Sequence, residues 1–280
     1  MEETPLLKLK MDVVFKAIFG SEVSKEILES FLKSVLNIPN ETKISLTIID
    51  PSTKSEKKND KTAILDVLVE TEEEIINVEI QLDKDPSMVD RIVYGISKTV
   101  TNQKFKGDDY KLKKVVAIVI TGYTLIETHT DYHDTFNYHS EKTGHTFSKS
   151  TEIHTLELKK LPPEDDGTML WNWLKFKNSE ERGEFEMLAQ KNKEVGQAVS
   201  ILKEISKDEA LQMLAHNRAM AEWRDSARLL DAKAEGKLEE KRETALEMMK
   251  KDFALETISE IIKMPLTWLE ELVNKEEDIQ

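Results

Sequence analysis

Two acidic residues and a glutamine on neighbouring stretches of this sequence have the types and spacing of a metal site. Residues 63–82 read A-I-L-D-V-L-V-E, T-E-E-E, I-I-N-V-E-I-Q-L, and two β-type runs around a short acidic turn predict a hairpin. Since side chains two residues apart share a strand face, Asp66 is a lone acid inside an apolar strand, and Glu79 and Gln81 project together from the next strand. If the two polar faces coincide, Asp66 and Glu79 can meet across the hairpin.

Two neighbouring carboxylates favour a cation between them. Buried carboxylates need partners, and two close together repel each other unless a cation or a proton lies between them. A divalent metal is the simplest such cation, and hard oxygen ligands suit Mg²⁺. The pattern alone fits a second interpretation equally well, in which Asp66 bonds backbone groups at a strand irregularity and Glu79 lies on a solvated face.

An Asp on one strand and Glu-x-Gln on the next resembles the PD-(D/E)XK nucleases. Five motifs in order narrow the resemblance to the recombination-promoting nuclease and putative transposase group of that superfamily. They are D-V-V-F-K-A-I-F at 12–19, L-D-V at 65–67, I-N-V-E-I-Q at 76–81, R-I-V-Y-G-I-S at 91–97 and Q-K-F-K-G-D-D-Y at 103–110. The resemblance covers roughly the first 160 residues. The group often has Gln where the wider superfamily has Lys, which Gln81 fits.

This resemblance implies catalytic roles for Asp66, Glu79 and Gln81. Asp66 and Glu79 would ligate one or two Mg²⁺ or Mn²⁺ ions, and the backbone carbonyl of Ile80 would complete the site. Gln81 would orient the attacking water or contact the scissile phosphate. The metal would lower the pKa of its bound water and stabilise the charge developing on the phosphate.

Weaker candidates for DNA contact are Lys16, Tyr94, Lys98 and Gln103. Lys16 lies four residues after Asp12 in a predicted helix, where a surface ion pair worth ~0.3–0.5 kcal/mol is the alternative role. Tyr94 and Gln103 match positions that the group tends to hold, but helix packing explains both equally well. Lys98 begins a lysine-rich stretch that could form a local basic patch or an ordinary solvated surface.

The net charge is the main argument against nucleic acid as a partner. It is −14, with a pI near 5.1, whereas phosphate binding normally requires a basic surface. Metal ions would cancel local acidity at the site, and lysines cluster at 54–61 and 98–114. The 280 residues are 39% hydrophobic and 34% charged, which indicates a globular protein with a core and a large solvated surface.

Several other classes of protein are disfavoured. The chain has no cysteine, which excludes disulfides and Cys-based zinc sites. His129 and His133 have a metal-like spacing, as do His139 and His145, but strand-like sequence there does not place each pair reliably on one face. No P-loop or G-x-S-x-G pattern occurs. No apolar run could span a bilayer, and the N-terminus lacks a secretory signal, so we expect a cytoplasmic protein and no membrane contact.

The elements that would position the site follow the order α-α-β-β-β-α-β. Apolar periodicity predicts helices at 11–19, 24–36 and 87–105 and strands at 43–49 and 114–121, on either side of the hairpin. A buried strand after a crossover helix implies parallel pairing. The order contains the αβββαβ core of the suspected superfamily. We therefore predict an α/β, restriction-endonuclease-like mixed sheet flanked by helices, with an all-helical C-terminal extension.

The remaining sequence predicts a second region. Residues 134–145 and 151–158 favour edge strands or a hairpin, and Pro162–Pro163 suggests domains at 1–162 and 163–280. Helical patterns then continue to the end, as a dimerisation surface or a helical arm. Two short helices near 255–263 and 265–273 resemble the end of a helix-turn-helix, although Glu270 and Glu271 would make the second a poor groove reader.

The sequence thus predicts a Mg²⁺-dependent endonuclease that acts on double-stranded DNA, linked by resemblance to recombination or transposition. It would form a homodimer through the helical C-terminal region. The alternative is a catalytically weakened nuclease fold that serves as a DNA- or protein-binding module. A third hypothesis is an acidic interaction protein without a nucleic-acid role.

Overall fold

The computed structural model describes residues 5–21, 24–49, 67–103 and 111–277. Six strands and nine α-helices lie within these ranges. They are α1 (Asp12–Phe19), α2 (Lys25–Leu36), β1 (Thr47–Ile49), β2 (Val67–Glu70), β3 (Glu74–Gln81), α3 (Met88–Thr101), β4 (Lys114–Thr121), β5 (His133–His139), β6 (Thr146–Glu157), α4 (Met169–Asn178), α5 (Arg182–Lys191), α6 (Lys193–Ile205), α7 (Glu209–Met249), α8 (Leu255–Ile262) and α9 (Leu266–Glu277).

The strands form one mixed sheet in the order β1-β2-β3-β4-β6-β5. β3 pairs with β4 and β4 with β6 in parallel, and the other neighbours are antiparallel. The predicted α/β fold is confirmed, including the parallel strand after the crossover helix α3. β5 and β6 form the hairpin that was one of the two expectations for this stretch. β5 is the edge strand, and β6 lies between β4 and β5.

Helices cover the two faces of the sheet unequally. On one face, α1, α2 and α4–α6 pack on the apolar residues of β2, β3 and β4 and form the main core. On the other, which we call the α3 face, Ile92 and Ile96 of α3 pack on Val115 and Val119 of β4. The register of β2 against β3 sets Val67 opposite Val78, which places the predicted apolar sets on the main core and the polar set on the α3 face.

Tertiary contacts place the division between two compact units after residue 215, not at the predicted boundary after residue 162. One compact unit spans Met1–Ala215 and the other His216–Gln280. The helices after Pro163 join the first unit because their aromatic side chains complete the core of its helical layer. Trp173 of α4, for example, makes edge-on contacts with Phe19 and Phe31.

The second unit contains a small core of its own. Ala245 near the end of α7 packs with Ile258 and Ile262 of α8 and with Leu269 and Leu272 of α9. The two short predicted helices are therefore present. α7 is a single helix that continues through Gly236. No helix among the described residues combines the length and apolarity required to cross a membrane.

Candidate active site

Glu79 projects from β3 onto the α3 face and is only 8% exposed. The alternation of β3 places Ile75, Asn77, Glu79 and Gln81 on this face, as the sequence predicted, and α3 lies over them. Glu79 is one of the few charged residues buried in the first unit. A carboxylate in this position requires compensation by a proton, a cation or hydrogen-bond donors.

Asp66, the expected partner of Glu79, lies outside the described residues. The described part of β2 begins with the next residue, Val67, which pairs with Val78, the neighbour of Glu79. The meeting of Asp66 with Glu79 stays a prediction.

Arg91, which sequence reasoning did not single out, compensates Glu79 in the structure. Its Nη2 donates to Glu79 Oε1 at 2.7 Å, and its Nη1 donates to Asp85 Oδ2 at 2.8 Å. Arg91 belongs to the first turns of α3, and Asp85 belongs to the connection from β3. The guanidinium group therefore links the strand that carries Glu79 to the start of the helix that covers it.

Asp85 is held in place from the other side by the helix start. Its Oδ1 accepts hydrogen bonds from the backbone N–H and the hydroxyl of Ser87, at 2.8 and 2.7 Å. This local turn is typical of Asp two residues before a helix. The spacing D-x-S followed four residues later by Arg was the available signal in the sequence, but it marks a helix start in many proteins and does not point to a carboxylate on another strand.

The surroundings shift the pKa values of Glu79 and Asp85 in opposite directions. Burial raises the pKa of Glu79, while the charge of Arg91 opposes this and that of Asp85 adds to it. The hydrogen bonds from Ser87 and Arg91 lower the pKa of Asp85. Tyr123, buried beside the cluster, has its pKa raised chiefly by burial. The environment thus penalises the charge of Glu79 unless a cation lies next to it.

Gln81 lies at the end of β3, and its side chain bonds the following loop. Its side-chain amide donates to the backbone carbonyl of Asp83 at 3.3 Å. Ile80, whose carbonyl was expected as a ligand, is opposite Ile120 in the pairing of β3 with β4. Because β2 is described only from Val67 onward, the roles assigned to Gln81 and to the carbonyl of Ile80 stay predictions.

Asn77 marks a small cavity under α3. It is 4% exposed, its Nδ2 donates to Thr99 Oγ1 at 3.1 Å, and its Oδ1 has no partner among the described residues. A cavity of about 10 Å³ lies between Asn77, Glu79 and Gly95. This is about the room that one water molecule needs, so a buried water can satisfy Asn77 Oδ1 beside Glu79.

The weaker DNA candidates are dispersed. Lys16 is exposed on α1, which packs on the main-core face, away from Glu79. Tyr94 is exposed and Lys98 is half-buried on α3. The amide of Gln103 donates to the carbonyl of Lys113 and accepts from its N–H, which ties the end of α3 to the start of β4. That is a structural role; the structure does not bring these four residues together.

The chain matches a known family. A family model described as PD-(D/E)XK nuclease family transposase matches residues 9–233. The chain belongs to this family. The match confirms the resemblance drawn from the five motifs and extends beyond residue 162, into α7. No curated protein and no solved structure matches the chain significantly.

Membership in the PD-(D/E)XK nuclease transposase family supports a nuclease or transposase-like role. Members of this superfamily generally use divalent metals, and one feature of the chain fits such an ion: a buried carboxylate whose charge requires a cation. Within the described ranges, no group of three or more His, Asp and Glu side chains is arranged to hold a metal by itself.

Proposed function

We propose that this protein is an endonuclease that uses Mg²⁺, or Mn²⁺ in its place, to hydrolyse phosphodiester bonds of double-stranded DNA during recombination or transposition. The observation that supports this most directly is the buried carboxylate of Glu79 on the α3 face, compensated by a partly exposed arginine. We also propose that the protein acts as a homodimer through its helical C-terminal region, which would give each particle two catalytic sites.

Asp66 and Glu79 would hold the ion, with the backbone carbonyl of Ile80 as a further ligand. The ion, when bound, would lower the pKa of a coordinated water and stabilise charge on the scissile phosphate. Gln81 would orient the attacking water. Its amide is neutral, so it cannot supply the positive charge that a lysine supplies at this position in other superfamily members.

Arg91 is the cation that would replace this missing charge. The guanidinium has five N–H donors in a fixed fork, and its Nη1 is anchored on Asp85. Because Nη1 is held by Asp85, Nη2 could leave Glu79 when that carboxylate holds the ion, and the side chain would stay anchored. Nη2 would then be available to a phosphate oxygen, a partner that arginine binds well because of its planar geometry.

The experiment is cleavage of a supercoiled plasmid by the full chain, with Mg²⁺ or with EDTA. Asp66→Asn and Glu79→Gln should each lower the cleavage rate by about a hundredfold or more, since electrostatic and metal contacts of this kind are worth several kcal/mol. Glu70→Gln is the matched control. Glu70 is a carboxylate of the neighbouring strand, but it is paired with Lys113 at the surface, and its loss should change the rate less than twofold.

Metal binding gives a second readout that does not depend on turnover. Isothermal titration with Mn²⁺ should show a site in the native chain and in Glu70→Gln, and a site weakened at least tenfold in Glu79→Gln. Cleavage that persists in EDTA or in Glu79→Gln would exclude the proposed mechanism.

A binding module without strong catalysis is the second candidate function. It is favoured by two observations: Gln81 carries no charge, and Arg91 already neutralises Glu79 in the structure. The same plasmid assay separates the candidates when it is combined with fluorescence anisotropy of a labelled duplex. Duplex binding by a native chain that does not cleave in Mg²⁺ or Mn²⁺ would support the module.

A further inference from the structure

A long part of α7 has no packing partner within its own unit. None of the described side chains between residues 216 and 240 is buried, and the core formed with α8 and α9 begins only at Ala245. This segment, which we call the bare segment, is 25 residues or about 37 Å long at 1.5 Å per residue. Helices that make no tertiary contacts are only marginally stable in water.

The bare segment nevertheless exposes large apolar side chains. Trp223 is 65% exposed and Leu230 is 68% exposed. Exposed apolar residues that form a continuous surface, rather than lying singly, indicate an interaction site. Whether Trp223 and Leu230 belong to such a continuous surface depends on the spacing of the apolar residues along the helix.

Five apolar residues of the bare segment follow a heptad repeat, while Leu229 and Leu238, which are also exposed, lie outside it. Met220, Ala227 and Ala234 are seven residues apart, and Trp223 and Leu230 follow the first two by three residues. This alternating spacing of three and four forms a seam along one side of a helix, which is the pattern of a left-handed coiled coil. We call these five residues the α7 seam.

Residue sizes along the seam favour an antiparallel arrangement of two identical helices. In a parallel pair in register, Trp223 would face the partner's Trp223, and the small Ala227 would face another alanine. In an antiparallel pair with Ala227 opposite the partner's Leu230, Trp223 lies opposite the partner's Ala234. Every central layer then combines a large residue with a small one, which fills the space between helices evenly.

The charges beside the seam favour the same arrangement. Arg224 and Asp231 each follow a seam residue directly, on the same edge, and such edges face each other in antiparallel pairs. In the register given above, Arg224 lies beside the partner's Asp231. The two-fold symmetry of an antiparallel pair forms this ion pair twice. A parallel pair would instead place both charges opposite small neutral side chains. Opposite charges flanking an apolar seam set partner choice and orientation.

Both charged residues are available for this role. Neither Arg224 nor Asp231 forms an ion pair with another residue in the described part of the chain, whereas Arg228, on the outer side of the helix, lies 3.8 Å from Asp225. We propose that the bare segment forms an antiparallel two-stranded coiled coil with the bare segment of a second copy of this chain. The inference specifies the proposed homodimer and does not rest on nuclease activity, so it is tested without DNA or metal.

Disulfide mapping tests the orientation, because the chain has no cysteine. Met220 lies opposite the partner's Lys237 in the antiparallel register, while two copies of position 220, or of position 237, are about 25 Å apart. Met220→Cys and Lys237→Cys should therefore form few disulfides alone and a heterodimeric disulfide when mixed, under mild oxidation of the full chain. Efficient self-crosslinking of each variant would show a parallel pair, and no crosslink in any sample would show no seam contact; either result overturns the proposal.

Charge reversal tests the register. Sedimentation velocity should show a dimer of the native chain. Arg224→Asp and Asp231→Arg should each raise the dimer Kd at least tenfold, because like charges then meet, and the double reversal should restore it to within about threefold. Arg228→Asp, on the outer side of the same helix, is the control and should leave Kd within twofold. A native monomer, single reversals without effect, or a double reversal that fails to restore the dimer would each refute the register.

Discussion

Replacement of Arg91 by Met should destabilise the protein most where Glu79 is ionised. Arg91 donates to Glu79 at 2.7 Å and to Asp85 at 2.8 Å, and the substitution keeps a long aliphatic side chain but removes all donors. Hydrogen bonds to charged groups contribute about 1.5–3 kcal/mol, and breaking a fully buried ion pair costs about 3–5 kcal/mol. The Arg91 side chain is 37% exposed, so solvent screens part of this, and we expect a loss of about 2 kcal/mol at pH 7.5.

The loss should depend on pH with a definite sign. Burial already raises the pKa of Glu79 above its usual value of 4.5, and removal of the Arg91 charge should raise it further. A carboxyl with a higher pKa in the folded state binds more protons folded than unfolded, so the free energy of unfolding falls as pH rises through that interval. The difference between Arg91→Met and the native chain should therefore be smaller at pH 4.5, where mainly the bond to Asp85 is lost, and full at pH 7.5.

Lys113→Met is the matched control. Lys113 has the same side-chain exposure as Arg91, 37%, and an ion pair of similar length, 2.9 Å, but its partner Glu70 is 36% exposed. A surface pair of this kind contributes less than about 1 kcal/mol. We expect Lys113→Met to cost less than Arg91→Met at pH 7.5 and to show little change at pH 4.5.

The assay is urea unfolding followed by circular dichroism at both pH values, first in EDTA. Equal losses for the two variants at both pH values would refute the assigned role of Arg91 as the cation of Glu79. A second series in Mg²⁺ tests the proposed metal. An ion at ten times its Kd stabilises the folded state by about 1.4 kcal/mol, and Arg91→Met should gain at least as much as the native chain, because the ion no longer competes with the guanidinium. No gain in either protein would count against a metal at Glu79.

Three further substitutions test other parts of the structure. Gly122→Ala would place a Cβ 2.6 Å from the carbonyl oxygen of Leu82, and we expect a loss of about 1–3 kcal/mol in urea unfolding, as for other overpacked sites; native-like stability would contradict this close approach. Gly236→Ala meets nothing within 4 Å and should stabilise α7 by about 0.5–1 kcal/mol, seen as higher helical ellipticity on heating. Burial, followed by the charge of His154, lowers the pKa of His133 from 6.5 to about 4, so the free energy of unfolding should fall as pH drops between these values. Because solvent screens this partly exposed ring, the fall should be well below the ~3 kcal/mol that the full shift implies. His133→Gln should flatten that part of the stability–pH curve, and an unchanged slope would exclude His133 as its source.

Local periodicity in the sequence was enough to predict the elements around Glu79. Strand 114–121 coincides with β4, and the helices at 11–19 and 24–36 differ from α1 and α2 by one residue at their starts. The alternation of β3 also predicted which face carries Glu79, and the register with β2 confirmed it. Helical and strand periods of 3.6 and 2.0 arise from backbone geometry within a few residues, so they are readable without knowledge of the rest of the chain.

The tertiary structure alone decided which groups meet on those faces. Arg91 reaches Glu79 because α3 turns back over the sheet after β3, and nothing in the eleven intervening positions encodes that contact as a local pattern. In the same way, the helices after Pro163 carry apolar stripes in their sequence, but only packing shows that these stripes complete the core under the sheet. An apolar stripe or a charge specifies that a side chain must find a partner; the choice of partner depends on long-range packing, since many partners satisfy the same local chemistry.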